Sequence, residues 1–66
     1  MKASINGREQ ELPNELTVRG LLEHVGSRVL GVAVARNERV VRRGDYDAER
    51  IEEGDRIEII QAVAGG

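Results

Sequence analysis

The sequence has no cysteine, no tryptophan and no phenylalanine, and Tyr46 is its one aromatic residue. Without cysteine, neither a disulfide nor a thiolate-bound metal can brace the fold, and any sulfur chemistry must take its sulfur from another molecule. With a single ring available, the core has to be aliphatic. Basic charge is not in excess either. The formal net charge is −2, which argues against the basic surface of a nucleic-acid binder. No apolar run approaches the length of a membrane span, and Met1-Lys2-Ala3-Ser4 has no signal-peptide core. The expectation is a cytoplasmic protein with neither nucleic acid nor membrane as a partner. His24 is the one histidine; with no cysteine or second histidine it builds no metal site and reads as a solvated residue.

What is present describes one small α+β domain. Sixty-six residues, 39% hydrophobic and 33% charged, sit near the lower size limit for a self-supporting core. Met1, Ala3 and Ile5 alternate with Lys2, Ser4 and Asn6, the period of a half-buried strand. Asn6-Gly7 is the strongest short hairpin signal, because a type I′ turn needs positive φ at both central residues. Arg8 to Leu12 returns antiparallel, and Pro13-Asn14 ends that strand. Thr17 can cap a helix. Val18, Leu21, Leu22 and Val25 follow at i, i+3, i+4 and i+7, an apolar stripe roughly 100° wide. Gly20 within that helix points to close packing on a sheet, and Gly26 suits a helix end with positive φ. Gly31 to Ala35 reads as a buried strand, Asn37-Glu38 as a weak turn signal, and Val40-Val41 as a short strand. Asp45 to Ile51 is polar with few anchors, a turn or one helical turn. Glu53-Gly54-Asp55 reads as a tight turn before the last strand, Arg56 to Val63. Two strands, a helix and three more strands predict a single mixed sheet curled around one helix.

The last strand and the residues after it carry the functional signal. Ile57 and Ile59 are expected to face the helix, while Ile60 and Ala62 fall on the opposite face and Gln61 points inward, unless a bulge at Ile60-Gln61 shifts the pattern. Ile60, Ala62 and Val63 then either form an apolar patch on which a partner would dock or complete a small core; their place beside the tail favours docking. Gly65-Gly66 follows directly. At an average glycine usage of about 7%, such a pair closes roughly one chain in 200 by chance. Glycine threads a narrow channel in an extended conformation and leaves its carbonyl carbon unshielded. Residues 1–63 thus read as the domain and residues 64–66 (Ala64, Gly65, Gly66) as a flexible reactive tail. Glu49, Glu52, Glu53, Asp55 and Glu58 read as a solvated face rather than as acid–base pairs. Arg36, Arg39, Arg42 and Arg43 form a basic stretch without interleaved aromatics, better suited to an acidic partner surface than to nucleic acid.

These residues resemble the ubiquitin-like β-grasp sulfur carriers, and among them the ThiS type of thiamin biosynthesis. The resemblance covers essentially the whole chain: the Asn6-Gly7 hairpin, the helix Thr17-Val18-Arg19-Gly20-Leu21-Leu22, the strands around Ala33 to Asn37 and Val40-Val41, and above all Glu53 to Gly66. Arg42 stands where many relatives have proline and Tyr46 where they have tryptophan, both away from the tail. The implied fold is the ubiquitin-like β-grasp, with four to five strands. The implied role is a carrier and not a catalyst.

The Gly66 α-carboxylate, with an ordinary pKa near 3.3–3.7, is a poor electrophile, and no phosphate-cradling loop in this chain could activate it. The resemblance implies an adenylating, E1-like partner that uses ATP to make an acyl-adenylate on Gly66. A persulfide on a sulfurtransferase or cysteine desulfurase then supplies sulfur, giving a C-terminal thiocarboxylate (1-thioglycine), and thiazole synthase receives it. The chain itself binds no cofactor on this reading. Two other readings stand beside it: a carrier for molybdopterin or cysteine synthesis or a ubiquitin-like protein modifier, and a β-grasp interaction module whose Gly-Gly is incidental.

Overall fold

Asn6 and Gly7 take φ of 53° and 83°, the double positive φ that closes a type I′ hairpin. They join β1 (Lys2–Ile5) to β2 (Arg8–Glu11), which pair antiparallel with Ile5 opposite Arg8. The protein is described from a computed structural model over residues 1–61. Thr17 caps the helix α1 (Val18–His24), its Oγ1 accepting from the Gly20 amide at 3.1 Å. Chain then runs through β3 (Val32–Arg36), β4 (Arg39–Val41), a 3₁₀ turn at Arg43–Asp45 and β5 (Arg56–Gln61). The five strands form one sheet in the order β2-β1-β5-β3-β4. β5 lies at its centre, parallel to β1 and antiparallel to β3. This is the mixed sheet and single helix that the sequence predicts.

The helix lies on one face of the sheet and the core fills the space between them. Val18, Leu21 and Leu22 meet Ala3, Ile5, Val34, Val41 and Ile57, and Leu12, Tyr46 and Ile51 close the sides. Truncating Leu21 or Leu22 would cost about 2–5 kcal/mol, a large part of the roughly 3–10 kcal/mol expected for a chain this short.

Several local expectations need correction. Val25 does not join the core: α1 ends at His24, and Val25 at its C-cap is 36% exposed. Seven residues make a helix only about 10 Å long, so the inner face of the sheet runs on past it. There Ile5, Gln10, Val25, Ile59 and Gln61 line a shallow open groove. Gly20 is crowded by Leu16 and Thr17 of the preceding loop, where an added Cβ would sit 3.1 Å from Leu16 Cδ2, and not by the sheet. Only Val34 of β3 is fully buried.

The segment read as poorly anchored holds two core residues, Tyr46 and Ile51. Its carbonyls also satisfy the first helical amides: Val18 N–H donates to Glu49 O and Arg19 N–H to Tyr46 O, each at 2.9 Å. Those amides have no partner within the helix itself. Asn37 and Glu38 form a second tight turn with φ of 53° and 70°, although glutamate bears a steric cost there that glycine would not.

Candidate functional site

β5 is the element that leads to the predicted reactive end. Ala62, Val63, Ala64, Gly65 and Gly66 lie outside the described residues; β5 and its neighbours precede them. The register of β3 with β5 runs unbroken from Arg36 opposite Ile57 to Val32 opposite Gln61, which leaves no bulge at Ile60-Gln61. Strict alternation therefore holds. Ile57 is buried against the helix and Ile59 is half-buried at the edge of the core. Gln61 shares their face but lies beyond the helix, at the groove.

Ile60 takes the outer face and is 59% exposed. Cross-strand partners share a face of a sheet, so Ala33, opposite Ile60, also points outward. Ala35 lies two residues along β3, opposite Val40, which is 79% exposed. The outer face thus carries an apolar strip of Ile60, Ala33, Ala35 and Val40 across three strands, bordered by Glu58. Sequence reading found only Ile60 of these four. The others follow once the β3–β4 register is known, because Val32 and Val34 point inward and force Ala33 and Ala35 outward.

The acidic residues separate into two sets. Asp55, read as part of a solvated face, is 6% exposed and closely held. Its Oδ2 accepts from Arg36 Nε at 2.6 Å and from the Glu52 amide at 2.7 Å, and its Oδ1 from Asn37 Nδ2 at 2.9 Å. Burial alone would raise its pKa. The bonds from Arg36, Asn37 and the Glu52 amide, with the Arg36 charge, outweigh burial and hold the carboxyl below the usual aspartate range. Arg36 also donates to Glu49 at 3.1 Å. It is turned inward and does not belong to an exposed basic stretch, whereas Arg39, Arg42 and Arg43 are exposed. This network ties the β3–β4 turn to the start of β5.

Among the described residues no group of three His, Cys, Asp or Glu side chains is placed to hold a metal ion. No helix among them is long and apolar enough to cross a membrane. The described domain is a platform: one central strand, fixed at its start, with an apolar strip beside its outgoing end.

A mixed five-stranded sheet on one helix, in this strand order, is a β-grasp domain of the ubiquitin-like kind. The model of the ThiS family matches residues 3–66, and the chain belongs to that family. It is 32% identical over 66 residues to the sulfur carrier protein ThiS of Escherichia coli, covering all of both chains. It is also 39% identical to a thiazole synthase of Magnetococcus marinus, where it spans the whole of this chain but only 20% of the relative's length. In structure it superposes on the crystal structure of the thiamine biosynthesis protein ThiS from Geobacter metallireducens with a TM-score of 0.87, at 28% identity and full coverage of both chains.

Proposed function

We propose that this chain is the sulfur carrier for formation of the thiazole ring of thiamin, with the Gly66 carboxylate as the group that carries sulfur. The observation that supports this most directly is the end-to-end match to a protein named as a sulfur carrier, on a chain that contains no cysteine of its own. Thiazole synthase is the proposed recipient, because a chain like this one forms a fifth of the length of a relative bearing that name.

The chemistry divides between carrier and partners. An adenylating enzyme binds ATP, the Gly66 carboxylate attacks the α-phosphorus, and pyrophosphate leaves. The terminal sulfur of a persulfide on a sulfurtransferase or cysteine desulfurase then attacks the carbonyl carbon and AMP leaves. A thiol cleaves the resulting acyl disulfide and is itself oxidised to a disulfide. Gly66 is left as a thiocarboxylate. The carrier supplies no catalytic group; it supplies an electrophile that is activated by others and a surface on which they dock. That surface is the outer strip of Ile60, Ala33, Ala35 and Val40, continued by Ala62 and Val63 in sequence. These steps use ATP, so a cytoplasmic setting belongs to the proposal.

Mass spectrometry of the intact protein from its native cell tests the reading. A species heavier by the exchange of one oxygen for one sulfur, mapped to Gly66, is the expected result. Isopeptide adducts through Gly66 without that species would make the chain a protein modifier instead.

A further inference from the structure

The side chain of Asn6 does more than suit a turn. β1 pairs with β5 over only two residue pairs, Ser4 with Arg56 and Ile5 with Ile57. The backbone ladder is carried by Ser4 N–H to Asp55 O and Asn6 N–H to Ile57 O, at 2.9 and 2.8 Å. At Asn6 the chain turns away into the hairpin, which leaves the next backbone groups of β5 on that side without a strand partner. The Asn6 carboxamide takes the place of that strand: Oδ1 accepts from Ile59 N–H at 2.8 Å and Nδ2 donates to Ile59 O at 3.3 Å. One side-chain amide satisfies both backbone groups of one residue, as a peptide unit of an added strand would.

The second tight turn holds the other end of β5, there with one side-chain and one backbone group. Asn37 Oδ1 accepts from Arg56 N–H at 2.8 Å, and Asn37 N–H donates to Arg56 O at 2.7 Å. Two turn asparagines, one from each neighbouring hairpin, therefore hold the first strand residue of β5 and the residue before Ile60.

We propose that Asn6 is a positioning residue for the docking face of β5, acting through the backbone of Ile59. Its amide fixes β5 at the point where the strand passes from the core to Ile60, and so holds the docking side chain in one arrangement before the partner binds. The proposal rests on the reading of Gly66 as the adenylated group. Preorganisation of this kind lowers the ordering cost of binding, so its loss should appear in KM for the carrier and not in kcat.

The test uses the full-length protein and two variants. Asn6→Gly removes the amide but keeps a residue at ease with φ of 53°. Gly7→Ala strains the same turn, at φ of 83°, and leaves the Asn6 side chain in place. In hydrogen exchange followed by NMR, Asn6→Gly should speed exchange of the Ile59 amide about tenfold relative to the Ser4 amide bonded to Asp55. In ATP–pyrophosphate exchange with the cognate acyl-adenylating enzyme, Asn6→Gly should raise KM about three- to tenfold, the range expected for one or two neutral hydrogen bonds, with kcat within twofold. Gly7→Ala should lower the melting temperature and leave KM near that of the wild type.

Unchanged Ile59 protection in Asn6→Gly overturns the proposal, as does unchanged KM, or a KM rise in Gly7→Ala equal to that in Asn6→Gly. Absence of any exchange activity with the wild-type carrier would instead overturn the reading of Gly66, and the exchange measurement at Ile59 does not depend on it.

Discussion

Asp55 offers the sharpest test of what holds β5 in place. Replacing it by alanine removes the acceptor for three donors at once: Arg36 Nε, Asn37 Nδ2 and the Glu52 amide. A buried donor left unpaired costs about 1–3 kcal/mol, and breaking a buried ion pair from one side about 3–5. Arg36 is a quarter exposed, so water recovers part of its loss, and an overall cost of about 2–4 kcal/mol follows for Asp55→Ala. That is a large share of the roughly 3–10 kcal/mol available to a domain this small. Asp55→Asn keeps the shape but loses the charge, and should cost about half as much.

The pH dependence separates this account from a simple packing defect. The carboxyl's pKa is lowered on folding, so in the acid range the unfolded chain binds more protons and stability rises with pH. The contribution is fully present above the ordinary aspartate pKa of about 3.9 and disappears as pH falls through the lower folded value. Urea unfolding followed by far-ultraviolet circular dichroism, from about pH 2 to pH 6, should show the wild-type and Asp55→Asn curves converging in acid. A gap that stays constant over that range, or an Asp55→Ala cost below about 0.5 kcal/mol, would refute the reasoning.

Other predictions follow from β5 and its turns. Ile60→Asp should leave thermal stability within about 0.5 kcal/mol yet weaken adenylation of Gly66 tenfold or more, about 1.4 kcal/mol of binding. Its control is Ile57→Asp, because Ile57 is the strand's fully buried isoleucine while Ile59 is half-buried; that variant should fail to fold by circular dichroism. An alanine added after Gly66 should leave the melting temperature unchanged and abolish ATP–pyrophosphate exchange with the adenylating enzyme, since the carboxylate no longer belongs to Gly66. Glu38→Gly should relieve the cost of φ at 70° and raise stability by about 0.5–1 kcal/mol, visible as a higher urea midpoint.

What could be read in the sequence was what is decided locally. The Asn6-Gly7 turn, the Thr17 cap and the positive φ at Gly26 each depend on a few adjacent residues, and all three are present. The inward and outward alternation of β5 was equally legible, down to the exposure of Ile60. The features that escaped are set by partners far along the chain. Asp55 is buried because Arg36 and Asn37 reach it from 19 and 18 residues away. Tyr46 and Ile51 lie in a segment tied to the helix start, where Glu49 O and Tyr46 O accept from Val18 and Arg19 and Ile51 N–H donates to Leu16 O. Val25 fits the helical period but lies past the last turn, so periodicity alone placed it wrongly. The extent of the outer strip required the β3–β4 register, which no period in the sequence encodes.

The polar residues of this small domain converge on one strand for a reason that its packing supplies. β5 has one fully buried side chain, Ile57, and a half-buried one, Ile59. Apolar contacts alone specify its register weakly, and a slip by one residue would send Ile59 outward and Ile60 inward. Directional bonds resist such a slip in a way that aliphatic contacts do not. Lys2 N–H bonds Glu53 at 3.0 Å and Gly54 N–H bonds Lys2 O at 2.7 Å, just before the strand. Asp55 and Asn37 hold its first residues, and Asn6 holds Ile59. In a chain with so few large side chains, these polar bonds fix the register of the strand that leads to the C-terminus. A slip would hide Ile60 from any docking partner.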